Sequence, residues 1–153
     1  MHTVALTPEG VPYSWGCNDD KALGREGPEE QALPVPLRVA VNGLSVGGSH
    51  SIFYNTETGD VFMCGLYRVS PTYLFNLLKN AVNGKVSDPV VTPTSFGPKI
   101  FKGKLTKLVS GTDHTLALTK DGKVYAWGDA ECGKIGRLLL SRGRDKNQDA
   151  LKI

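Results

Sequence analysis

Residues Leu108 to Gly136 read LVSGTDHTLALTKDGKVYAWGDAECGKIG, and the same plan is written twice more upstream. In this copy His114 is followed by Gly122, Gly128 and Gly136, at intervals of eight, six and eight. The first copy, HTVALTPEGVPYSWGCNDDKALG, keeps those intervals with His2, Gly10, Gly16 and Gly24. A middle copy, GSHSIFYNTETGDVFMCG, has His50, Gly59 and Gly65, one extra residue in its turn, and Cys64 where the others have Trp15 and Trp127. Self-similarity at a period of about fifty residues points to solenoids, propellers or arrays rather than to one closed globule.

The text inside each unit selects among these. HTLALT and VYAWG alternate side chains in β fashion and flank TKDGK, whose Asp-Gly pair is a hairpin turn signal. LTKLVSG before the hairpin, and VTPTSF and LPVPLRV around it, are further short extended segments whose prolines suit sheet edges. Four short strands per unit make a propeller blade. The fold class is therefore all-β, an incomplete β-propeller of about three blades over residues 1–153. Repeat 1 runs over about 1–40, repeat 2 over about 41–103 with an insertion at 66–91, and repeat 3 over about 104–153.

With 153 residues, 40% of them hydrophobic, and no long apolar run, the chain reads as a soluble globular protein with no membrane span. MHTVALTPEG has neither the basic start nor the apolar core of a secretory leader. His2 stands where the repeat already expects its second strand, so the chain reads as a fragment that enters mid-pattern. Cys17, Cys64 and Cys132 have no CxxC spacing and lie in equivalent parts of separate repeats, which favours structural thiols in a reducing compartment over disulfides or a metal site. The net charge of +3 does not by itself imply nucleic acid as a partner.

Along the chain, Asn18, Asp19 and Asp20 suit a tight turn before Leu23 tucks inward. Glu26 to Gln31 reads as a charged surface connection, and Ala32 to Val46 as extended text. The segment Leu66 to Val91 interrupts the pattern with Tyr67, Tyr73, Leu74, Phe75, Leu77 and Leu78, so it must fold back on its blade or meet a partner. The text after Gly136 starts apolar, turns basic, and ends with no following strand.

The repeated histidines invite a general-base reading, and Asp113 adjoins His114. A histidine at the same place in every unit has the same task in every unit, which is hydrogen bonding between loops. No phosphate cradle of the GxxxxGK[ST] or GxGxxG kind is present, and no nucleophile with base and orienter can be assembled. These residues call for no cofactor, and the reading is a binding protein without covalent chemistry.

HTLALTKDGKVYAWGDAECGKIG resembles the repeat of the regulator of chromosome condensation family, and the resemblance covers almost the whole chain. MHTVALTPEGVPYSWGCNDDKALGR is similar to an early blade of the family's founding member, including the GCND loop and the ALGR ending. The insertion falls where that member carries a projecting β-wedge. Ser141 to Arg144 lies where it has an irregular Arg-bearing loop. The resemblance implies a guanine nucleotide exchange factor for the small GTPase Ran, here as about three of seven blades, nuclear and also cytoplasmic. It implies Ran-facing roles for His2, Arg68, Asp113 and Arg137, and nucleosome or histone contact for Arg142 and Arg144. DNA contact would come through parts of the chain not present, and a fragment would self-associate through uncovered sheet faces. Gly48 stands where the exchange factor has an Asp, and Lys79 near an acidic position of the wedge. The alternative implied by these departures is a propeller scaffold of the same family without exchange activity.

Overall fold

In a computed structural model of the chain, residues 1–66, 89–95, 101, 103–129, 131–136 and 151–152 are described. They contain eleven strands in three antiparallel sheets. The first sheet is β1 (His2–Leu6), β2 (Pro12–Cys17) and β3 (Glu30–Pro36) in that order. The second is β4 (Gly43–Val46), β5 (His50–Tyr54), β6 (Val61–Gly65) and β7 (Val90–Ser95). The third is β8 (Leu105–Ser110), β9 (His114–Thr119), β10 (Val124–Gly128) and β11 (Leu151–Lys152). Each is a meander of sequential neighbours, which is the β-propeller blade expected from the repeat.

The hairpins fall on the repeated text. Thr3 pairs with Trp15, Ser51 with Cys64, and Thr115 with Trp127, so the three units share one register. The prolines sit where a missing N–H does least harm. In β3 the pairing shifts between Ser14 and Gly16, with Pro34 in the irregular stretch. In β7 it shifts between Met63 and Gly65, with Pro93 there. Both are outer strands with no partner on their far side among the described residues.

Three boundaries differ from expectation. β3 begins at Glu30, inside the stretch read as a surface connection, because Cys17 and Gly16 still have main-chain groups to pair with Glu30 and Gln31. Val90 and Val91, assigned to the insertion, belong to β7. After Gly136 a following strand does exist: Leu151 and Lys152 pair with Ala126 and Tyr125. Two residues are too short to carry a readable alternation.

The middle sheet is buried on both faces, and this joins the blades. Ile52, Tyr54, Val61 and Met63 point one way and pack with Leu105, Leu108, Ala117, Tyr125 and Trp127 of the third sheet. Phe53 and Cys64 point the other way and meet Leu37 and Val41, with Val4 and Leu6 of the first sheet against them. Strand β5 is therefore buried at every position, where a one-faced sheet would alternate. On β9 it is Thr115, Ala117 and Thr119 that face the second sheet, while the larger Leu118 remains 40% exposed on the far face.

The loop between β2 and β3 closes the first seam from one end. Asn18 is fully buried, donating from Nδ2 to the Arg25 carbonyl at 3.0 Å and accepting the Leu23 N–H at 3.2 Å. This folds Ala22 and the fully buried Leu23 inward, as the sequence implies. The Arg25 guanidinium turns back to donate to the Ser14 carbonyl at 3.0 Å. Apart from the strands, the described residues hold one short 3-10 turn, Glu131–Gly133, and no helix long and apolar enough to cross a membrane.

Phe53 is the largest fully buried side chain of the described core, whereas Leu33 is 77% exposed. Phe53→Ala is expected to lower unfolding stability by about 3–5 kcal/mol, and Leu33→Ala to change it by no more than about 0.5 kcal/mol. Urea denaturation of both variants checks this, and equal losses would contradict the two-sided packing of β5.

Candidate functional site

The second and third blades present the same construction at one end, and the first keeps its closing tie. A turn leads into the second strand, and the third strand ends beside it. Gly47 donates to the His50 carbonyl at 2.9 Å and Gly111 to that of His114 at 2.8 Å, closing the turns Gly47–Ser49 and Gly111–Asp113. The residue that ends or follows the third strand then ties back: Cys17 N to Met1 O at 3.0 Å, Leu66 N to Ser49 O at 2.8 Å, and Asp129 N to Asp113 O at 2.7 Å. These ties need glycine beneath them. Gly128 has φ +115°, and a Cβ there would stand 2.5 Å from the Asp113 carbonyl oxygen.

Neighbouring blades are joined at this rim by polar contacts. Gly48 N donates across the second seam to Thr112 O at 2.8 Å. Across the first, His2 Nε2 lies 2.8 Å from Ser51 Oγ. The Ser51 hydroxyl donates its proton to the Ala22 carbonyl at 2.8 Å, so His2 Nε2 is the donor of the other bond. The Cys64 thiol reaches the same carbonyl at 3.4 Å. Of the repeat histidines, His2 ties a seam through its ring.

Burial tunes these groups. The His50 imidazole is pushed down to about 4, first by burial and then by repulsion from His2 and His114. His2 is lowered for the same leading reason. Burial pushes the Cys64 thiol up to about 12, so it is an inert packing group. At the surface, the Asp19 carboxyl is held below its usual range by the Cys17 S–H and the Asp20 N–H. The Asp113 carboxylate is half-buried at the rim and has no hydrogen-bond or ion-pair partner among the described residues. Asp129, whose N–H binds the Asp113 carbonyl, is ion-paired to Lys134.

His2 and Asp113 therefore stand at the same end of their blades, two seams apart. Arg68, Lys79, Arg137, Arg142 and Arg144 lie outside the described residues. The topology does place the roots of their segments. The chain leaves β6 at Leu66 and re-enters at Val90, the partner of Gly65, at the rim end. It leaves Gly136 and returns at Leu151 beside Ala126 of β10. Both segments occupy the place of the 18–29 connection of the first blade. Ser51 and Thr112 were not singled out from the sequence. The signal was present in the hydroxyl one residue after each repeat histidine, Thr3, Ser51 and Thr115.

Comparison with known proteins agrees with this architecture. Two models of the regulator of chromosome condensation (RCC1) repeat match residues 9–54 and 105–134. The Mus musculus protein "Regulator of chromosome condensation" is 37% identical over 150 residues, covering 94% of this chain and 33% of that protein. The chain belongs to the regulator of chromosome condensation repeat family. Its fold matches that of yeast RCC1 (Prp20) bound to Kap60 with a TM-score of 0.70 at 23% identity, over 99% of this chain and 35% of that one. Prp20p of Saccharomyces cerevisiae, studied for binding to Gsp1p and histones, matches with a TM-score of 0.65 at 25% identity, over 88% and 33%. The RCC1-type chain described here spans about a third of the length of the curated relatives it matches.

His50 supplies a pH signature. Its ordinary value is 6.5 and its folded value about 4, so below 6.5 the unfolded chain takes up a proton that the folded chain refuses. Stability is complete above that range and falls as pH drops through about 4, by roughly 3 kcal/mol in all. Urea midpoints at pH 7 and pH 5 are expected to differ in that direction, and His50→Gln to flatten the dependence. A protein more stable at pH 5 would refute the buried neutral imidazole.

Proposed function

We propose that this protein is a guanine nucleotide exchange factor for the small GTPase Ran, acting through the histidine-end rim. The observation that carries the reading is topological: the Asp113 turn, the 67–88 segment with Arg68 and the 137–150 segment with Arg137 all spring from one end of the propeller. A partner docked there meets the Asp113 carboxylate, which has no partner among the described residues, beside the roots of a segment rich in Tyr and Leu and of one that contains Arg137, Arg142 and Arg144.

Such a protein forms no covalent bond with its partner. By binding the nucleotide-free GTPase more tightly than the loaded one, it lowers nucleotide affinity by the same factor. The 67–88 segment, pressed near the phosphate loop and switch region as a wedge, would disturb the Mg²⁺ and phosphate contacts that hold the nucleotide. Asp113 anchors the partner through a basic group, and His2 and Arg137 widen the contact. Arg142 and Arg144 flank one glycine, a spacing suited to bidentate capture of carboxylates on an acidic histone surface. Nuclear localisation with some cytoplasmic protein follows from those partners, and DNA contact belongs to parts outside this chain. Val109 and Leu118, 43% and 40% exposed on the far face of the third blade, are surfaces through which this stretch alone would self-associate.

One observation favours a second reading, a scaffold without exchange activity. At Gly48 the rim offers only main chain, donated to Thr112, where the family resemblance implies a carboxylate. The two readings separate on nucleotide release from Ran. Asp113→Ala and Arg68→Ala are each expected to slow release at least about tenfold, a loss on the scale of a charge-assisted contact. Trimming Val69–Asn83 to a Gly-Ser link should abolish release and leave melting behaviour intact. An unaltered protein that does not accelerate nucleotide release from Ran would belong to the scaffold class, and rates unchanged in all three variants of an active protein would remove these residues from exchange.

Arg142→Ala with Arg144→Ala is expected to weaken nucleosome pull-down while Ran exchange persists. Undiminished nucleosome retention would remove these residues from chromatin binding.

A further inference from the structure

The second seam at the rim brings two main chains into direct contact. Gly48 N donates to Thr112 O at 2.8 Å, which fixes that carbonyl against the Gly47–Ser49 turn. A Cβ built on Gly48 would stand 2.8 Å from the Thr112 methyl carbon, 3.2 Å from its carbonyl oxygen and 3.7 Å from its carbonyl carbon. The backbone of Gly48 is not in the left-handed region, so the obstacle to a side chain is the neighbouring blade and not local strain. Thr112 is itself exposed, and the next residue is Asp113, whose carboxylate has no partner among the described residues.

We infer that Gly48 and Thr112 form one specificity element of the rim: the Thr112 methyl occupies the space a side chain at position 48 would need, and among the described residues the seam therefore offers its partner the Asp113 carboxylate and none from position 48. The partner surface that fits is one basic group for Asp113 with a flat, uncharged patch beside it lying on the Gly48 main chain. A partner bearing two adjacent basic groups is disfavoured, because the second meets no counter-charge. Rotation of Thr112 can move its methyl. It cannot move the carbonyl oxygen, which the Gly48 N–H holds. Shortening position 112 removes the 2.8 Å contact and leaves the 3.2 Å approach to the carbonyl oxygen, which the turn must relieve by a few tenths of an ångström, so it recovers part of the loss. The element is a pair: altering Gly48 alone strains the seam, and altering Thr112 alone opens an unused space.

This inference rests on the rim being the partner-binding surface proposed above, and its two parts are tested separately. Gly48→Asp, Thr112→Ala and the double variant are prepared in the whole protein. In thermal melting, Gly48→Asp is expected to lower the midpoint by several degrees, Thr112→Ala by little, and the double variant to regain at least half of the loss. Strictly additive shifts would overturn the steric coupling, whatever the partner. In binding to nucleotide-free Ran, the double variant is expected to bind about threefold more weakly than Thr112→Ala alone, because the added carboxylate lies against the partner's uncharged patch with no counter-charge. An unchanged affinity in a double variant that melts normally would overturn the specificity role. Failure of Asp113→Ala to affect Ran would instead sink the functional reading and leave the melting result to decide the coupling.

Discussion

A sheet in this molecule cannot bury itself. Each has two faces, and only a neighbouring sheet can cover them, so the seam between blades is the interaction on which everything else depends. The middle blade shows the requirement met, with Ile52 and Met63 committed to one neighbour and Phe53 and Cys64 to the other. The third blade shows it half met, with Trp127 buried on the covered face and Leu118 open on the far one. The apolar contacts supply most of the cohesion, and polar ties fix the angle and register. His2 to Ser51 and Gly48 to Thr112 join blades at the rim, while Ser51 to Ala22 locks the 18–29 loop over the first seam.

The same ties determine the chemistry available at the rim. A histidine committed to a seam is desolvated, and a desolvated imidazole with two like neighbours stays neutral and is unsuited to shuttling protons near neutral pH. What is left for a partner is the outward part of each turn and the connections that leave from it. Repetition makes these equivalent in place but not in content. One turn ends in Asp113, the next offers Gly48 and Ser49, and the three connections differ in length. A propeller becomes a specific binding surface in this way: the framework is periodic, and recognition lies in the departures from the period.

Much of the fold was legible in the text because its causes are local. A glycine in each hairpin turn, the regular spacing from histidine to glycine to glycine, and β-branched alternation specify hairpins without reference to anything distant. The inward tuck of Leu23 follows from Asn18, whose side chain satisfies the loop's own backbone. β11 was not legible, since a two-residue strand exists only because β10 has an open edge beside it. Nor was the face that each strand would bury: HTLALT suggests that its leucines point inward, yet both faces of a blade can be interior, and Thr115, Ala117 and Thr119 are the ones covered here. At the rim, the place of Asp113 before the repeat histidine was visible in the text and its proposed role came from the resemblance, whereas Ser51 and Thr112 act across seams between residues far apart in sequence.

By itself, then, the sequence determined the repeat, the hairpins, the all-β class and the family, because each of these rests on contacts within a few residues or on likeness of text. Only the tertiary structure decided that Thr112 stands against Gly48, that His2 donates to Ser51, and that the roots of both long connections share an end with Asp113. Those relations depend on how one blade is turned against the next. That turn is set by side chains of two sheets packing at once, which no local pattern encodes.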